Sequence, residues 1–254
     1  MSQPAFLLSY LTPGNPGEHR NVNHTSVNAA NFPVLSRLLR MSTKYEVERP
    51  KAEVIKAIEA TWPKDLAAHD SLEVARVARA IAAKPKDFPG GVWPAYAADT
   101  RGMHPAAVIA LLRECGYNSP QILSPIFYAL ARRFDTLSGG SNLARLPRAD
   151  IERLLAGIHR LYAELWKLPS ALDAVVNPAH DACAAATLRW SHTCVIPFLA
   201  ANARSPIEAV RSLPARASVN PDGGPCLECN HSVVGQILAL QLQMWEGLTG
   251  MFEL

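Results

Sequence analysis

Two cysteines and a histidine lie close together near the carboxyl end of the chain. The segment reads Gly-Gly-Pro-Cys-Leu-Glu-Cys-Asn-His and contributes Cys226, Cys229 and His231. Thiolate sulfur and imidazole nitrogen are the usual ligands of zinc, and a Cys-x-x-Cys turn directs two sulfurs at one ion. Because a structural zinc site needs four ligands, the segment predicts a metal site that a residue from elsewhere in the chain completes.

Further candidate ligands appear when the segment 178–202 is wound as a helix. At about 100° per residue, five polar or sulfur-containing side chains fall within an arc of about 80°. They are His180, Cys183, Thr187, Ser191 and Cys194. His180 and Cys183 have the spacing of a metal-ligand pair and could complete the site at the Cys226 turn. The alternative is that these small side chains only allow two helices to pack closely.

Two other interpretations of the cysteine turn stay open. The positive potential at a helix N-terminus can make a Cys-x-x-Cys pair redox-active, although such pairs usually occur in a βαβ context, which this sequence lacks. The cysteines can also be plain reduced thiols in a loop. If the metal is iron or haem rather than zinc, the same residues would form an enzyme site between the 178–202 helix and the turn.

A cluster of arginines surrounds the Gly-rich segment Ser138 to Asn142. The cluster consists of Arg132, Arg133, Arg145, Arg148, Arg153 and Arg160. Guanidinium groups bind phosphate through paired N–H donors, and a Gly-rich turn adds backbone N–H groups. The cluster predicts a surface for an anionic ligand such as nucleic acid. The alternative is a solvated helix face with internal ion pairs, because the segment matches neither the Walker pattern nor the dinucleotide fingerprint.

The sequence contains no established catalytic motif. Gly-x-Ser-x-Gly, His-Glu-x-x-His and EF-hand patterns are missing. His69-Asp70 and His180-Asp181 are adjacent pairs, but neighbours on a helix point in different directions, so neither pair predicts a catalytic dyad. Whether the chain is an enzyme therefore stays open.

Proline positions indicate the helices that must carry these residues. Ser205-Pro206, Asn177-Pro178, Ser119-Pro120 and His104-Pro105 each place a capping residue before a proline at the first helical position. Glu208 follows Ser205 at the capping-box spacing, and the imidazole of His104 is a candidate cap. The four pairs predict helices joined by short loops.

Apolar periodicity also predicts an all-α fold. Val74, Val77, Ala78 and Ile81 recur at helical spacing and predict a helix over about 65–83 with this stripe toward the core. A second stripe comprises Ile151, Leu154, Leu155, Ile158, Tyr162 and Leu165. Alternating strand patterns are scarce. We expect an irregular N-terminal segment over 1–31 and one single-domain multi-helix bundle over 32–254.

Composition and charge narrow the class of protein. The 254 residues are 49% hydrophobic, which is enough for a buried core, and the net charge of +3 gives no strong long-range attraction to polyanions. Five cysteines at irregular spacing do not form a secreted disulfide framework. The N-terminus lacks the pattern of a signal peptide. These features predict reduced thiols and a cytoplasmic location.

Two segments, 182–203 and 232–245, carry almost no charge. Pro197 interrupts the first and Gln236, Gln241 and Gln243 interrupt the second, so buried helices are expected rather than a membrane association. The last helix ends with Trp245, Leu248, Met251 and Phe252. This apolar end predicts either a place in the core or self-association or docking on a protein partner.

Two hypotheses of function follow. In the first, the chain is a non-catalytic helical subunit or adaptor that a metal stabilises, with a protein partner and an anionic ligand such as nucleic acid at the arginine cluster. In the second, it is a helical enzyme that depends on a metal or haem. The first requires fewer coincidences, because no nucleophile or acid/base pair is evident.

Overall fold

The computed structural model describes residues 27–82, 103–133, 143–175, 181–217 and 226–254. The described residues form α-helices and contain no strand element, which confirms the predicted all-α class. The first helices are α1 (Phe32–Lys44), α2 (Glu48–Thr61), α3 (Leu66–Ala82), α4 (Pro105–Glu114), α5 (Pro120–Ala131) and α6 (Arg148–Leu165). The remaining helices are α7 (Leu168–Val175), α8 (Asp181–Trp190), α9 (Ile196–Asn202), α10 (Pro206–Ala217), α11 (Leu227–Glu246) and α12 (Leu248–Met251).

Three of the four predicted helix starts are confirmed, since α4, α5 and α10 begin at Pro105, Pro120 and Pro206. The His104 imidazole accepts a hydrogen bond from the Ala106 N–H at 3.3 Å, as a cap does. The fourth start, Asn177-Pro178, lies outside the described residues.

The predicted capping box at the start of α10 is wrong. The Ser205 N–H donates to the Asn202 carbonyl at 3.0 Å rather than to Glu208. The Glu208 carboxylate instead contacts side chains of other helices, which bind it more strongly than one neutral backbone amide would.

The core lies where α4, α5, α6, α11 and α12 pack together. The apolar side chains at the end of the last helices, namely Trp245, Leu248, Met251 and Phe252, are at most 9% exposed. They pack within their own chain, so the core alternative for this segment is the one that the structure adopts. The Phe252 ring lies against Gly157 of α6, and a Cβ at Gly157 would overlap it.

Helix α6 carries the second predicted apolar stripe, but its buried face differs from that stripe. Leu154 and Leu165 of the predicted stripe are fully buried. Leu155 and Tyr162 of the same stripe are 48% and 37% exposed, because the buried face is centred on Leu154, Gly157, Leu161 and Leu165 instead.

Helix α3 turns its polar residues inward and its apolar stripe outward, so the predicted orientation was wrong. Val74 and Ile81 are 61% and 65% exposed, whereas Glu73 is 8% exposed. The reason is an ion pair between Glu73 and Arg132, the C-cap residue of α5, with oxygen–nitrogen distances of 2.9 and 3.1 Å. Strong polar contacts with the body of the protein thus override the apolar pattern of this helix.

Further polar contacts attach the segment around α3 to α11. The Gln241 amide donates to the Asp70 carboxylate at 3.1 Å, and the Trp245 indole N–H donates to the Lys64 carbonyl at 3.0 Å. These contacts place His69 between the two helices, with its ring 4.5 Å from the Trp245 ring.

A π-helical turn, Ser191–Val195, separates α8 from α9. The Ile196 N–H donates to the Ser191 carbonyl, a wider spacing than in an α-helix. Pro197 follows and has no N–H to donate, which accounts for the interruption at this point. The wider turn changes the direction of every later side chain in this segment.

None of the described helices combines the length and the apolar character that crossing a bilayer requires.

Candidate metal centre and a buried ion-pair network

Three sulfur atoms from two separate parts of the chain meet at the beginning of α11. The Sγ atoms of Cys183, Cys226 and Cys229 all lie within 4.8 Å of one another. Cys183 is in the first turn of α8, Cys226 is the N-cap residue of α11 and Cys229 is in its first turn. The structure therefore brings together two sulfurs of the predicted turn with one from the predicted stripe.

The three thiols differ in their access to solvent. Cys229 is buried, Cys183 is half-buried and Cys226 is exposed. The backbone N–H of Cys226 donates to the Cys183 sulfur at 3.3 Å, a contact that also orients metal-bound thiolates. Such a group can bind a thiophilic cation, and its exposed member provides a route from solvent.

The other predicted ligands have different positions. His231 is exposed on α11 and does not belong to the group of three sulfurs. His180 lies outside the described residues. Cys194 is exposed, away from Thr187 and Ser191, which are each 1% exposed. The π-helical turn explains this separation, because the predicted arc assumed a uniform α-helical winding.

Two buried oxygen atoms near these cysteines in sequence lack a hydrogen-bond partner within the described part of the chain. They are Thr187 Oγ1, one helical turn after Cys183, and Asn230 Oδ1, next to Cys229. Buried polar atoms in proteins almost always have a hydrogen-bond partner, which can be a water molecule or a ligand of a bound metal ion. Both oxygens are available to such a ligand.

The predicted arginine cluster is spread over distinct environments. Arg148 is 93% exposed and pairs with Glu152, Arg153 pairs with Asp150 at 2.9 Å, and Arg160 pairs with Glu253. The central segment, Ser138 to Asn142, lies outside the described residues. Of these three pairs, Arg148–Glu152 and Arg153–Asp150 lie within α6, as the alternative of internal ion pairs on one helix face expects, whereas Arg160–Glu253 does not.

Arg133 and Arg145 lie near His104. Burial lowers the pKa of His104, and the positive charges of Arg133 and then Arg145 lower it further. Both arginines therefore act electrostatically on the same histidine, and Arg145 is exposed.

Arg132 belongs to a buried network that no sequence motif indicated. Its guanidinium, 9% exposed, lies 2.9 Å from Glu73 Oε1 and 2.9 Å from Glu208 Oε1. His69 Nε2 lies 2.9 Å from the same Glu208 oxygen, and the Tyr128 hydroxyl donates to Glu208 Oε2 at 2.5 Å. The network joins α3, α5 and α10 through five polar side chains.

One signal for this network was present in the sequence. His69 and Glu73 are four residues apart on α3, and Arg132, the C-cap residue of α5, is four residues after Tyr128, so each pair lies on one side of its helix. The apolar periodicity of α3 predicted that the stripe containing Val74 and Ile81 faces the core. The opposite face, with His69 and Glu73, was therefore expected to face solvent.

The pKa shifts in the network follow from burial and from Arg132. Burial alone would raise the pKa of Glu73, but Arg132, followed by Arg76, lowers it to about 2. Burial also opposes ionisation of Glu208, whose pKa nevertheless stays below its usual value because of Arg132 and His69. Burial, followed by the charge of Glu208, raises the pKa of Tyr128 well above its usual value.

The carboxylate and imidazole atoms of this network also lie close enough to suggest a metal site. One atom each of His69, Glu73 and Glu208 lies within 4.8 Å of the others. However, the Arg132 guanidinium already lies between the two carboxylates, and each carboxylate oxygen accepts at least one hydrogen bond. An ion would have to displace a buried arginine, so the network resembles a completed set of ion pairs.

No protein-family model matches this sequence, and neither the curated proteins nor the solved structures contain a significant match.

Proposed function

We propose that this chain is a non-catalytic helical subunit stabilised by a zinc ion that Cys183, Cys226 and Cys229 bind. The observation that carries the proposal is the convergence of these three sulfurs within 4.8 Å, although Cys183 is far from the other two in sequence. Thiolates are the preferred ligands of structural zinc sites, whereas magnesium and calcium prefer oxygen. Zinc is therefore the cation that this group favours.

The separation of the sulfurs suits a zinc ion. Zn–S bonds of about 2.3 Å at tetrahedral angles place sulfur atoms about 3.8 Å apart. The sulfur–sulfur distances in the structure are at most 4.8 Å, so they exceed the separation in a zinc site by at most about 1 Å. Rotation of the side chains can close this difference. The fourth position of a tetrahedral site remains for another ligand, such as water.

The proposed role of the ion is to join two segments of the fold. Cys183 begins α8, while Cys226 and Cys229 begin α11, and α11 packs against α7 and α10. Because the unfolded chain does not hold the three sulfurs together, the free energy of zinc binding contributes to the free energy of folding. Zinc would thus fix the N-terminus of α11, the longest described helix.

Zinc content tests the proposal directly. We expect protein purified under reducing conditions to contain about one zinc ion per chain. Inductively coupled plasma mass spectrometry measures this content. Cys183→Ser, Cys226→Ser and Cys229→Ser should each reduce this content strongly. Cys194→Ser is the matched control, because Cys194 is exposed in the same part of the chain but lies outside the sulfur group. An equal loss in the control, or no loss in the three variants, would refute the assignment.

An absorption spectrum separates the proposal from the alternative of an iron- or haem-dependent enzyme. Zinc protein is colourless, whereas iron–thiolate and haem centres absorb visible light. Replacement of zinc by cobalt should produce strong thiolate-to-cobalt absorption that Cys226→Ser weakens and Cys194→Ser does not. A haem spectrum in the purified protein would favour the enzyme instead.

The proposed anionic ligand receives its remaining support from Arg133 and Arg145, which lie near His104. Nucleic-acid binding through this region predicts an affinity that decreases as salt increases, with a smaller salt dependence for Arg145→Gln. Arg148→Gln serves as the control, because Arg148 is exposed but pairs with Glu152. An affinity that does not change with salt would remove nucleic acid from the proposal.

A further inference from the structure

A cleft of about 130 Å³ lies beside the buried network, between α3, α9 and α10. Glu73 and Glu208 of the network form part of its wall, and Arg76, Arg211, Ser205 and Asn202 line the rest together with apolar side chains. Burial of several charged groups costs free energy and contributes little net stability. A cleft bounded by buried ionisable groups is a candidate site for a small molecule.

The two carboxylates of this cleft are already bonded to donors of the protein. Glu73 accepts from Arg76 and Arg132, with the shortest contact at 2.6 Å. Glu208 accepts from Tyr128 and lies in contact with Arg132 and His69. A ligand cation would have to compete with these contacts, so the acidic side of the cleft does not favour a cationic ligand.

The available hydrogen-bonding groups are instead donors. One terminal nitrogen of Arg211 contacts Asp70, at 3.2 Å to its carbonyl and 3.4 Å to its carboxylate. The other N–H groups of Arg211 make no hydrogen bond within the described ranges of the chain. Ser205 is 4% exposed and accepts from Arg132 at 3.3 Å, which leaves its own O–H to donate. An oxyanion is the ligand group that matches these donors.

The charges and the size limit that oxyanion further. Arg76, Arg132 and Arg211 balance Glu73, Glu208 and Asp70, so the surroundings carry no excess positive charge for a polyanion. Val77, Phe198 and Ala209 give the cleft an apolar side. A cavity of about 150 Å³ accommodates benzene, so about 130 Å³ suits a ligand of about six non-hydrogen atoms.

We propose that this cleft binds a small monocarboxylic acid with a short apolar body, whose carboxylate pairs with Arg211 and Ser205 while the body contacts Val77, Phe198 and Ala209. This inference is independent of the zinc site, because it depends on α3, α9 and α10 rather than on the cysteines. A small acid at this position would link α10 to α3, because its carboxylate would contact Arg211 of α10 and its apolar body would contact Val77 of α3.

Calorimetric titration with three probes of equal length tests the proposal. Butyrate has the proposed charge, butyramide is its neutral counterpart and butylammonium is cationic. We expect butyrate to bind with a dissociation constant of about 1 mM and the other two at least about tenfold more weakly, because a charged hydrogen bond is stronger than a neutral one. Equal affinity for butyrate and butyramide would overturn the proposal, as would no binding of butyrate at about 50 mM.

Substitution of Arg211 then locates the site. Arg211→Gln should weaken butyrate binding by about tenfold or more, and Arg211→Lys should weaken it less, because lysine keeps the charge but lacks the paired N–H donors. Arg189→Gln is the control, since Arg189 is exposed on α8 and does not line the cleft. Circular dichroism of each variant establishes that it is folded. Unchanged affinity in folded Arg211→Gln would refute the assignment of this cleft.

Discussion

The buried network and the sulfur group both bring potential metal ligands within 4.8 Å, but they differ in what already occupies the space between them. In the network, Arg132 lies 2.9 Å from both Glu73 and Glu208 and supplies the positive charge. In the sulfur group, the ligands themselves converge, and the backbone N–H of Cys226 points at a sulfur. Proximity of ligand atoms alone therefore does not identify a metal site.

The buried network and the sulfur group join helices in different ways. The network joins α3, α5 and α10 by charges that the chain itself supplies, whereas the sulfur group would join α8 and α11 through an ion taken from solution. The first should be sensitive to substitution and acid, and the second to chelators.

Removal of Arg132 should have the largest effect. Arg132→Met leaves Glu73 and Glu208 buried without their shared cation, and breaking a buried pair in this way costs about 3–5 kcal/mol. Denaturant unfolding followed by circular dichroism measures the change. Arg148→Met, at an arginine that is 93% exposed, should change the free energy of unfolding by less than about 0.5 kcal/mol. Similar losses in both variants would show that burial of Arg132 is not important.

Removal of zinc should have the next largest effect, and only where all three cysteines are present. At a free zinc concentration about 100 times the dissociation constant, bound zinc adds about 2.7 kcal/mol to the free energy of unfolding. A chelator should therefore destabilise the parent chain by this amount and leave Cys229→Ser unchanged. Equal sensitivity of both to the chelator would contradict the assignment.

Acid should weaken the network by a smaller amount. The pKa of Glu73 is about 2 in the folded chain and 4.5 as its ordinary value, so its contribution is complete above about pH 4.5 and decreases as the pH falls toward 2. By pH 3 the loss should be about 2 kcal/mol. Glu73→Gln should remove this part of the pH dependence, which urea unfolding at several pH values measures. A pH dependence identical in the variant would contradict the shift.

The outward stripe of α3 should give the smallest effect. Val74→Ser and Ile81→Ser remove side chains that are 61% and 65% exposed, so each should change the free energy of unfolding by less than about 0.5 kcal/mol. Leu112→Ala, at a side chain that is fully buried in α4, should cost about 2–5 kcal/mol. A large loss of unfolding free energy in Ile81→Ser would mean that the apolar stripe faces the core and that His69 and Glu73 do not.

Local signals in the sequence predicted much of the fold. Pro105, Pro120 and Pro206 marked helix starts, because proline fits the first turn of a helix better than any later position. Helical winding also placed Cys183 on a stripe of candidate ligands, and the structure brings it to Cys226 and Cys229.

What the sequence did not predict depends on a contact between distant residues in one case and on a local change of helix geometry in the other. The inward orientation of α3 follows from Arg132, which is far from Glu73 in the chain, so the apolar period of α3 alone indicated the opposite face. The exposure of Cys194 follows from a π-helical turn before Pro197, which uniform winding does not contain. In both cases the local pattern was correct and its continuation in space was not.

Native mass spectrometry with added zinc, applied side by side to both clusters, tests the central distinction most directly. We expect one zinc ion on the parent chain and on Glu73→Gln, and none on Cys226→Ser. Retention of zinc by Cys226→Ser together with its loss from Glu73→Gln would place the ion in the network and contradict the account.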